Sequence, residues 1–253
     1  MHGVSTAQVE PAAQAGHPRS ACHDGVVSTC HVWWAAPVAP DRAPVLVDLL
    51  DRHEQERLAR LRRPADAARY LAAHALTRIV LGSWLERPAS ALVIDRTCRC
   101  GQQHGKPALA GDGPAFSLSH AGDVVGVAVL DEGPVGLDVE VIRPMSDLAA
   151  MARHVGAPAE PSAFFRAWTR KEALLKATGD GLASPMAAIV LDADGVASWT
   201  GDGAPDGPVW LRDLSAPDGS PAAVAGLGAA APTVAEHDGH PHLHPGESRI
   251  PTR

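Results

Sequence analysis

Asp138 and Glu140 stand two residues apart in the run Val135-Gly-Leu-Asp-Val-Glu-Val. Alternate residues of an extended strand share a face. With Val135, Leu137, Val139 and Val141 turned one way, Gly136, Asp138 and Glu140 turn the other. Two carboxylates so placed are roughly 7 Å apart, within reach of one hard cation if a third oxygen ligand arrives from elsewhere. Gly136 on the same face would let a ligand approach the backbone closely. An exposed strand face carrying ordinary acidic residues is the alternative reading.

The second group lies in the run WTRKEALLKATGDG, where Glu172 and Lys176 are four residues apart and share one side of a helix, with Lys171 beside them. Such a pair alone is usually a surface ion pair worth a few tenths of a kcal/mol. Of 22 lysines and arginines, however, only Lys106, Lys171 and Lys176 are lysine, and two of them sit here. Glu172 would supply the third oxygen for a hard cation and Lys176 an ammonium for a phosphate.

Other groups carry weaker signals. Cys98, Cys100 and His104 give three zinc-type ligands at an irregular spacing, for which a structural or inert role is expected. GQQHGKP has the glycines of a phosphate loop one residue too close, and Pro107 where Ser or Thr is needed, so it is not a Walker motif. Ser119-His120 in FSLSH is a weak nucleophile signal, since such groups are recognised by geometry; a plain strand end is the alternative. His237, His240, His242 and His244 offer metal ligands, but a solvated low-complexity tail is the expectation.

These residues need elements to hold them. A strand is predicted at Val26–Ala35, a helix from Val45 to Arg63 that Pro64 ends, and a second helix capped by Asp66 and running to Trp84. Strands follow at Ala91–Asp95, Val124–Leu130 and Val135–Val141. A helix begins at Ser162, carries Phe164, Phe165, Trp168, Leu174 and Leu175, and ends at Gly179. Three strands close the chain, at Ala187–Asp192, Val209–Leu214 and Ala222–Leu227, with Asp194-Gly195 as a hairpin turn. The order predicts an α+β protein of two similar halves, 26–133 and 134–232. Residues 1–25 and the His-rich 233–253 are expected to be disordered arms.

Composition bounds the function. The 253 residues, 45% apolar and 20% charged, are those of a soluble globular chain. No apolar run approaches the roughly 20 residues that span a bilayer, and the start of the chain lacks the pattern of a secretory signal. A net charge of -7 opposes general binding to nucleic acid or anionic membranes. Four cysteines are too few for a disulfide scaffold and fit a reducing compartment; the expected location is the cytoplasm.

Taken together and in order, GKPAL, FSLSH, VGLDVE and FFRAWTRKEALLKATGDGL resemble the 4'-phosphopantetheinyl transferases, specifically the larger type that activates bacterial polyketide and nonribosomal peptide synthases. The resemblance runs from about Glu54 to Leu182 and includes ERLARLRRPADAARYLAAHALTRIVLG upstream. It implies a monomer of two pseudosymmetric α+β lobes with coenzyme A and Mg2+, or Mn2+ as substitute, in the cleft between them. It also implies that Asp138, Glu140 and Glu172 hold the metal, that Lys176 contacts the pyrophosphate, and that Arg57, Arg69, Lys106, Pro107, Ser119 and His120 bind coenzyme A. The reaction implied is transfer of 4'-phosphopantetheine to a serine of an acyl or peptidyl carrier protein, releasing adenosine 3',5'-bisphosphate. Glu172 is the candidate general base, with Asp138 and Lys176 as the other catalytic residues. Acidic carriers would dock on a basic patch such as Arg62, Arg63, Arg166 and Arg170. One departure is a segment of only three residues between Glu160 and Phe164. Another magnesium-dependent phosphotransferase, or a non-catalytic relative that binds carriers or coenzyme A, is the alternative.

Overall fold

The computed structural model of the chain describes residues 28–98, 100–179 and 184–244. The arm expected at 1–25, and residues 245–253, lie outside the described residues. In chain order the elements are β1 Thr29–Ala35, α1 Pro44–Val47, α2 Arg52–Ala59, α3 Pro64–Trp84, β2 Ile94–Asp95, β3 Ala108–Leu109, β4 Ala115–Ala121, β5 Val124–Leu130 and β6 Val135–Val139. Then come α4 Leu148–Val155, α5 Pro161–Thr178, β7 Ile189–Leu191, β8 Val196–Trp199, β9 Val209–Ser215, β10 Pro221–Leu227, β11 Thr233–Asp238 and α6 His240–Leu243.

Two sheets form the centre, one in the order β11-β1-β5-β4 and one in the order β6-β10-β9. Strand alternation gives each sheet two apolar faces. Cys30, Val32, Trp34, Ala128 and Leu130 of the first sheet pack against Val135, Leu137, Val139, Ala222 and Val224 of the second. The opposite face of the first sheet, with Trp33, Val125, Val127 and Val129, takes Leu71, Ala72, Ala75 and Leu76 of α3. Ala223 and Ala225 of the second sheet take Phe165, Leu174 and Leu175 of α5. The molecule is thus helix, sheet, sheet, helix, an α+β architecture in which each sheet carries its own long helix.

Several expectations are corrected. The single helix from Val45 to Arg63 is two, because Asp51 starts a new one. Its side chain accepts from the Glu54 amide at 2.8 Å, and Glu54 returns the bond to the Asp51 amide at 3.0 Å, a reciprocal capping box. Asp66 does not cap α3, which starts at Pro64 with Arg63 as its N-cap; Asp66 instead pairs with Arg69 at 2.5 Å. The strand expected at Ala91–Asp95 shortens to Ile94–Asp95 behind a 3-10 turn at Ala89–Ala91.

The largest correction concerns the expected tail. Thr233–Asp238 is a strand, paired in parallel with β1 from Thr29↔Thr233 to Trp34↔Asp238. Polar composition hid it, because an edge strand needs only one apolar side and this one is held by other means. The Trp34 indole donates to Glu236 at 2.7 Å, His31 and His237 share a 2.8 Å hydrogen bond, and His237 stacks on Trp33. Leu243 then buries its side chain in the α3 core.

Candidate active site

The two sheets meet edge to edge where β4 passes β6. One side of β6 is paired with β10, which leaves amides on its other side without a strand. FSLSH supplies the partners: Ser117 Oγ accepts from the Leu137 amide at 3.0 Å and Ser119 Oγ from the Val139 amide at 3.2 Å. The period of two in the serines matches the period of two in the amides, so the motif does more than end a strand. It clamps the backbone on both sides of Asp138.

Gly136 lets helix α5 approach, not a ligand. A Cβ there would stand 2.0 Å from the Ala173 carbonyl oxygen and 2.5 Å from the Ala177 nitrogen. The close approach brings Lys176 over β6, where its ammonium donates to Asp138 Oδ1 at 2.7 Å, the Leu137 carbonyl at 3.0 Å and Ser119 Oγ at 3.2 Å. Ser119 in turn donates to the same carboxylate oxygen at 3.0 Å. The other oxygen, Asp138 Oδ2, is buried without a hydrogen-bond partner. Burial pushes the Asp138 carboxyl above its ordinary range, against the opposing pull of Lys176 and Ser119.

Glu172 lies one turn before Lys176 on α5. Burial first, and then the charge of Asp138, push its carboxyl up, with Glu140 adding to the effect. Glu140 follows the last residue of β6 and pairs with Arg143 at 2.8 Å. Asp138 and Glu140 each have a cation of the chain beside them, Lys176 and Arg143, which offsets part of the repulsion among the three carboxylates. Mg2+ nevertheless fits the chemistry of the site. The donors are hard oxygens and one buried oxygen still lacks a partner, although the three carboxylates do not all lie within 4.8 Å of one another.

The residues expected to bind coenzyme A fall into two sets. Arg69 donates to the Gly122 carbonyl at 2.9 Å. His120, which reaches solvent, is pushed down to about 4 by the protein packed around it and then by the charges of His74, Lys176 and Arg69. Those groups therefore act on His120, which follows Ser119 of the Asp138 site in β4. Lys106 is further along, donating to the Val135 carbonyl at 2.8 Å and the Ala177 carbonyl at 3.5 Å, with Pro107 half-buried next to it. Arg57 is exposed on α2.

Lys171 belongs to a different structure. It is 1% exposed and donates to the Val155, Gly156 and Met186 carbonyls, fastening the end of α4 to α5. In the expected docking patch, Arg62, Arg63 and Arg166 are exposed, but Arg170 is committed to Asp213 through two hydrogen bonds.

Sequence reasoning missed Ser117, Arg143 and a buried network behind the first lobe. There Glu54 binds His74, Arg78 and Arg96, and Asp51 binds the same two arginines. The capping-box spacing of Asp51 and Glu54 was the available signal.

Residues 134–204 match the family described as the 4'-phosphopantetheinyl transferase superfamily, and residues 36–131 match its N-terminal family, 4'-phosphopantetheinyl transferase, N-terminal. The chain is similar to 4'-phosphopantetheinyl transferase HetI of Nostoc sp., with 34% identity over 60% of this chain and 70% of the relative. Similarity to 4'-phosphopantetheinyl transferase psf-1 of Bacillus pumilus is 33% over 53% and 60% of the two chains. For 4'-phosphopantetheinyl transferase AcpT of Salmonella typhimurium it is 42% over 30% and 47%, so the chain spans about half the length of that relative.

Proposed function

From the premise that this chain belongs to the 4'-phosphopantetheinyl transferase superfamily and is a transferase of the larger, two-lobed type, we propose that it moves 4'-phosphopantetheine from coenzyme A to a serine of an acyl or peptidyl carrier protein. The observation that carries this reading is the half-used Asp138 carboxylate. One oxygen is held by Lys176 and Ser119, and the other is buried and unpartnered, beside a Glu172 of raised pKa.

Asp138, Glu140 and Glu172 would hold Mg2+, which when bound offsets the charge of the pyrophosphate and of the departing phosphate. Lys176, already at the centre of the site, adds a positive charge toward the same pyrophosphate. Glu172 is the proton acceptor. Burial and its acidic neighbours make it more basic than an ordinary carboxylate, which suits removal of the proton from the carrier serine. The serine oxygen forms a bond to the phosphorus that bears pantetheine. The bond from that phosphorus to the bridging oxygen breaks, and adenosine 3',5'-bisphosphate leaves with the bridging oxygen. The chain forms no covalent intermediate, so its contribution is position and electrostatics.

Arg69 and His120 would meet the 3'-phosphate end of the donor, a reading supported by the positive charges of Arg69, His74 and Lys176 that act on His120. Carrier docking falls to the exposed Arg62, Arg63 and Arg166. The test is to incubate the full chain with coenzyme A, Mg2+ and a panel of apo carrier proteins and to weigh the products. A mass gain of one phosphopantetheine on a carrier is expected. No gain on any acyl or peptidyl carrier, with a nucleoside triphosphate preferred as donor, would overturn the reading.

A further inference from the structure

We propose that Cys98, Cys100 and His104 form a zinc site that fixes the loop between β2 and β3. The irregular spacing argued for an inert role, but folding supplies the convergence that spacing lacks. The ligand atoms of the three residues all lie within 4.8 Å of one another, and Cys100 Sγ is 3.1 Å from His104 Nε2. Among the described residues, this is the one group of three or more Cys, His, Asp and Glu residues drawn together so tightly. Tetrahedral zinc sets its thiolates about 3.8 Å apart, given Zn–S bonds of about 2.3 Å, so small side-chain rotations close the site.

The backbone is already wound for it. The Cys98 amide donates to the Gln102 carbonyl at 2.7 Å, the Gly101 amide to the Cys98 carbonyl at 2.8 Å, and the Gly105 amide to the Arg96 carbonyl at 2.6 Å. Gly101 turns with φ +82°, a conformation that suits glycine. At Gly105 a Cβ would stand 2.9 to 3.0 Å from the Thr97 and Arg96 carbonyls and the Cys98 nitrogen, so only a glycine lets the loop close this far.

The donor set names the metal. Two thiolates and an imidazole select a borderline-soft ion over Mg2+ or Ca2+, and tetrahedral preference with these ligands is that of Zn2+. Cys100 and His104 are exposed and Cys98 is partly so, which gives the ion a path in. Three protein ligands leave a fourth position for water or an outside group.

The consequence is positional. Two residues before Cys98, Arg96 is anchored on Asp51 and Glu54. Two residues after His104, Lys106 reaches the Val135 and Ala177 carbonyls of the second lobe. A metal between these anchors would hold the loop that ties the first lobe to β6 and α5 beside Gly136 and Lys176.

The experiment is metal analysis of the full chain, produced without a histidine tag in zinc-supplemented medium and kept reduced. One zinc per chain is expected. Exchange with Co2+ should give the thiolate-to-cobalt charge-transfer band and the strong visible bands of a tetrahedral site. The variants Cys98→Ser, Cys100→Ser and His104→Gln should lose the metal while far-UV circular dichroism shows them folded; if they do not fold, the cobalt spectrum of the unaltered chain decides. The proposal fails if the reduced chain holds no stoichiometric zinc and gives no cobalt–thiolate band. It fails equally if zinc persists in the Cys98→Ser/Cys100→Ser double variant, which would put the ion on histidines elsewhere, or if the two thiols prove to be joined as a disulfide. None of these readouts uses transferase activity, so this failure is distinct from failure of the proposed reaction.

Discussion

The Lys176 ammonium lies 2.7 Å from Asp138 Oδ1, and the two partners are unequally buried, with side-chain exposures of 30% for the lysine and 9% for the aspartate. Removing one partner is therefore not equivalent to removing the other. Without Asp138, Lys176 can turn toward water. Without Lys176, Asp138 keeps a charge in a buried place where only Ser119 remains to compensate it.

Lys176→Met should consequently destabilise the chain more than Asp138→Asn does. A buried charge that loses its partner costs about 3–5 kcal/mol, reduced here to the extent that Asp138 takes up a proton instead. Asp138→Asn should cost on the order of 1 kcal/mol, as for an exchanged hydrogen bond. Urea unfolding of both variants at neutral pH checks the order. The opposite order would mean that Lys176 is the more costly residue to leave alone.

Activity should rank the residues differently. Asp138→Ala, Glu140→Ala and Glu172→Ala should each reduce transfer at least roughly a hundredfold, the scale of losing a main electrostatic contact to the reacting groups. Mg2+ or Mn2+ should restore wild-type protein treated with EDTA but should not rescue Asp138→Ala. Mass spectrometry of an apo carrier protein reads both results. Near wild-type transfer by Asp138→Ala would remove the carboxylate from the mechanism.

Gly136→Ala tests whether helix contact or ligand access explains this glycine. The added methyl would meet the Ala173 carbonyl at 2.0 Å, backbone that cannot rotate away. Overpacking of this kind costs typically about 1–3 kcal/mol. Thermal unfolding should show the loss with no ligand present. Unchanged stability together with weaker coenzyme A binding would favour a ligand at Gly136.

Acid should strike the first lobe at Glu54. Burial alone would raise this carboxyl, but the His74 hydrogen bond and charge, followed by Arg78, overturn it and lower the pKa from 4.5 to about 2. A depressed carboxylate contributes stability that is present above the unfolded value and lost as pH falls through the folded one. The window is therefore between 4.5 and about 2, and the contribution is at most about 3 kcal/mol. Urea midpoints measured down this range should fall steeply in wild type. Glu54→Gln should be less stable at neutral pH and show a flatter acid limb.

Where the chain alternates or winds with apolar residues, its sequence was legible. Val124–Leu130 is a strand with the bounds its composition suggests, and α5 ends at Gly179, which has φ +78°. The pairing of Asp138 with Lys176 was not legible, because it depends on how closely α5 crosses β6 and hence on a glycine that could equally have served a ligand. Nor was the role of FSLSH, since the amides it satisfies belong to a strand that meets it only in the folded chain. The same limit applied to β11, whose polar residues read as tail until Trp34 and His31 stand beside them.

Deleting residues 233–253 should accordingly damage the fold. The cut exposes the edge of β1, frees the Trp34 indole from Glu236 and uncovers the core at Leu243. Burial of one leucine alone is worth about 1.5–3 kcal/mol, so loss of at least roughly 2 kcal/mol in urea unfolding is expected, along with a more aggregation-prone edge. Stability equal to that of the full chain would return this segment to the status of an arm.

The 3'-phosphate of coenzyme A should be read by His120 and Arg69. His120 is held neutral in the free protein, at about 4, by the protein packed around it and then by the positive charges of His74, Lys176 and Arg69. A phosphate seated beside it reverses that field and raises its pKa, so binding takes up a proton at any pH between the free and bound values. Coenzyme A should then bind more tightly as pH falls from about 8 to about 5, by up to roughly tenfold per unit. Dephospho-coenzyme A should show a shallower trend, and His120→Gln should flatten the trend for coenzyme A. Arg69→Ala should narrow the gap between the two donors, because its guanidinium adds a charge-assisted contact. Titration calorimetry in buffers of different ionisation enthalpy reads the proton uptake directly. Equal affinity for both donors across this range, with no proton taken up, would take His120 and Arg69 out of the donor site and leave their cluster as packing between α3 and β4.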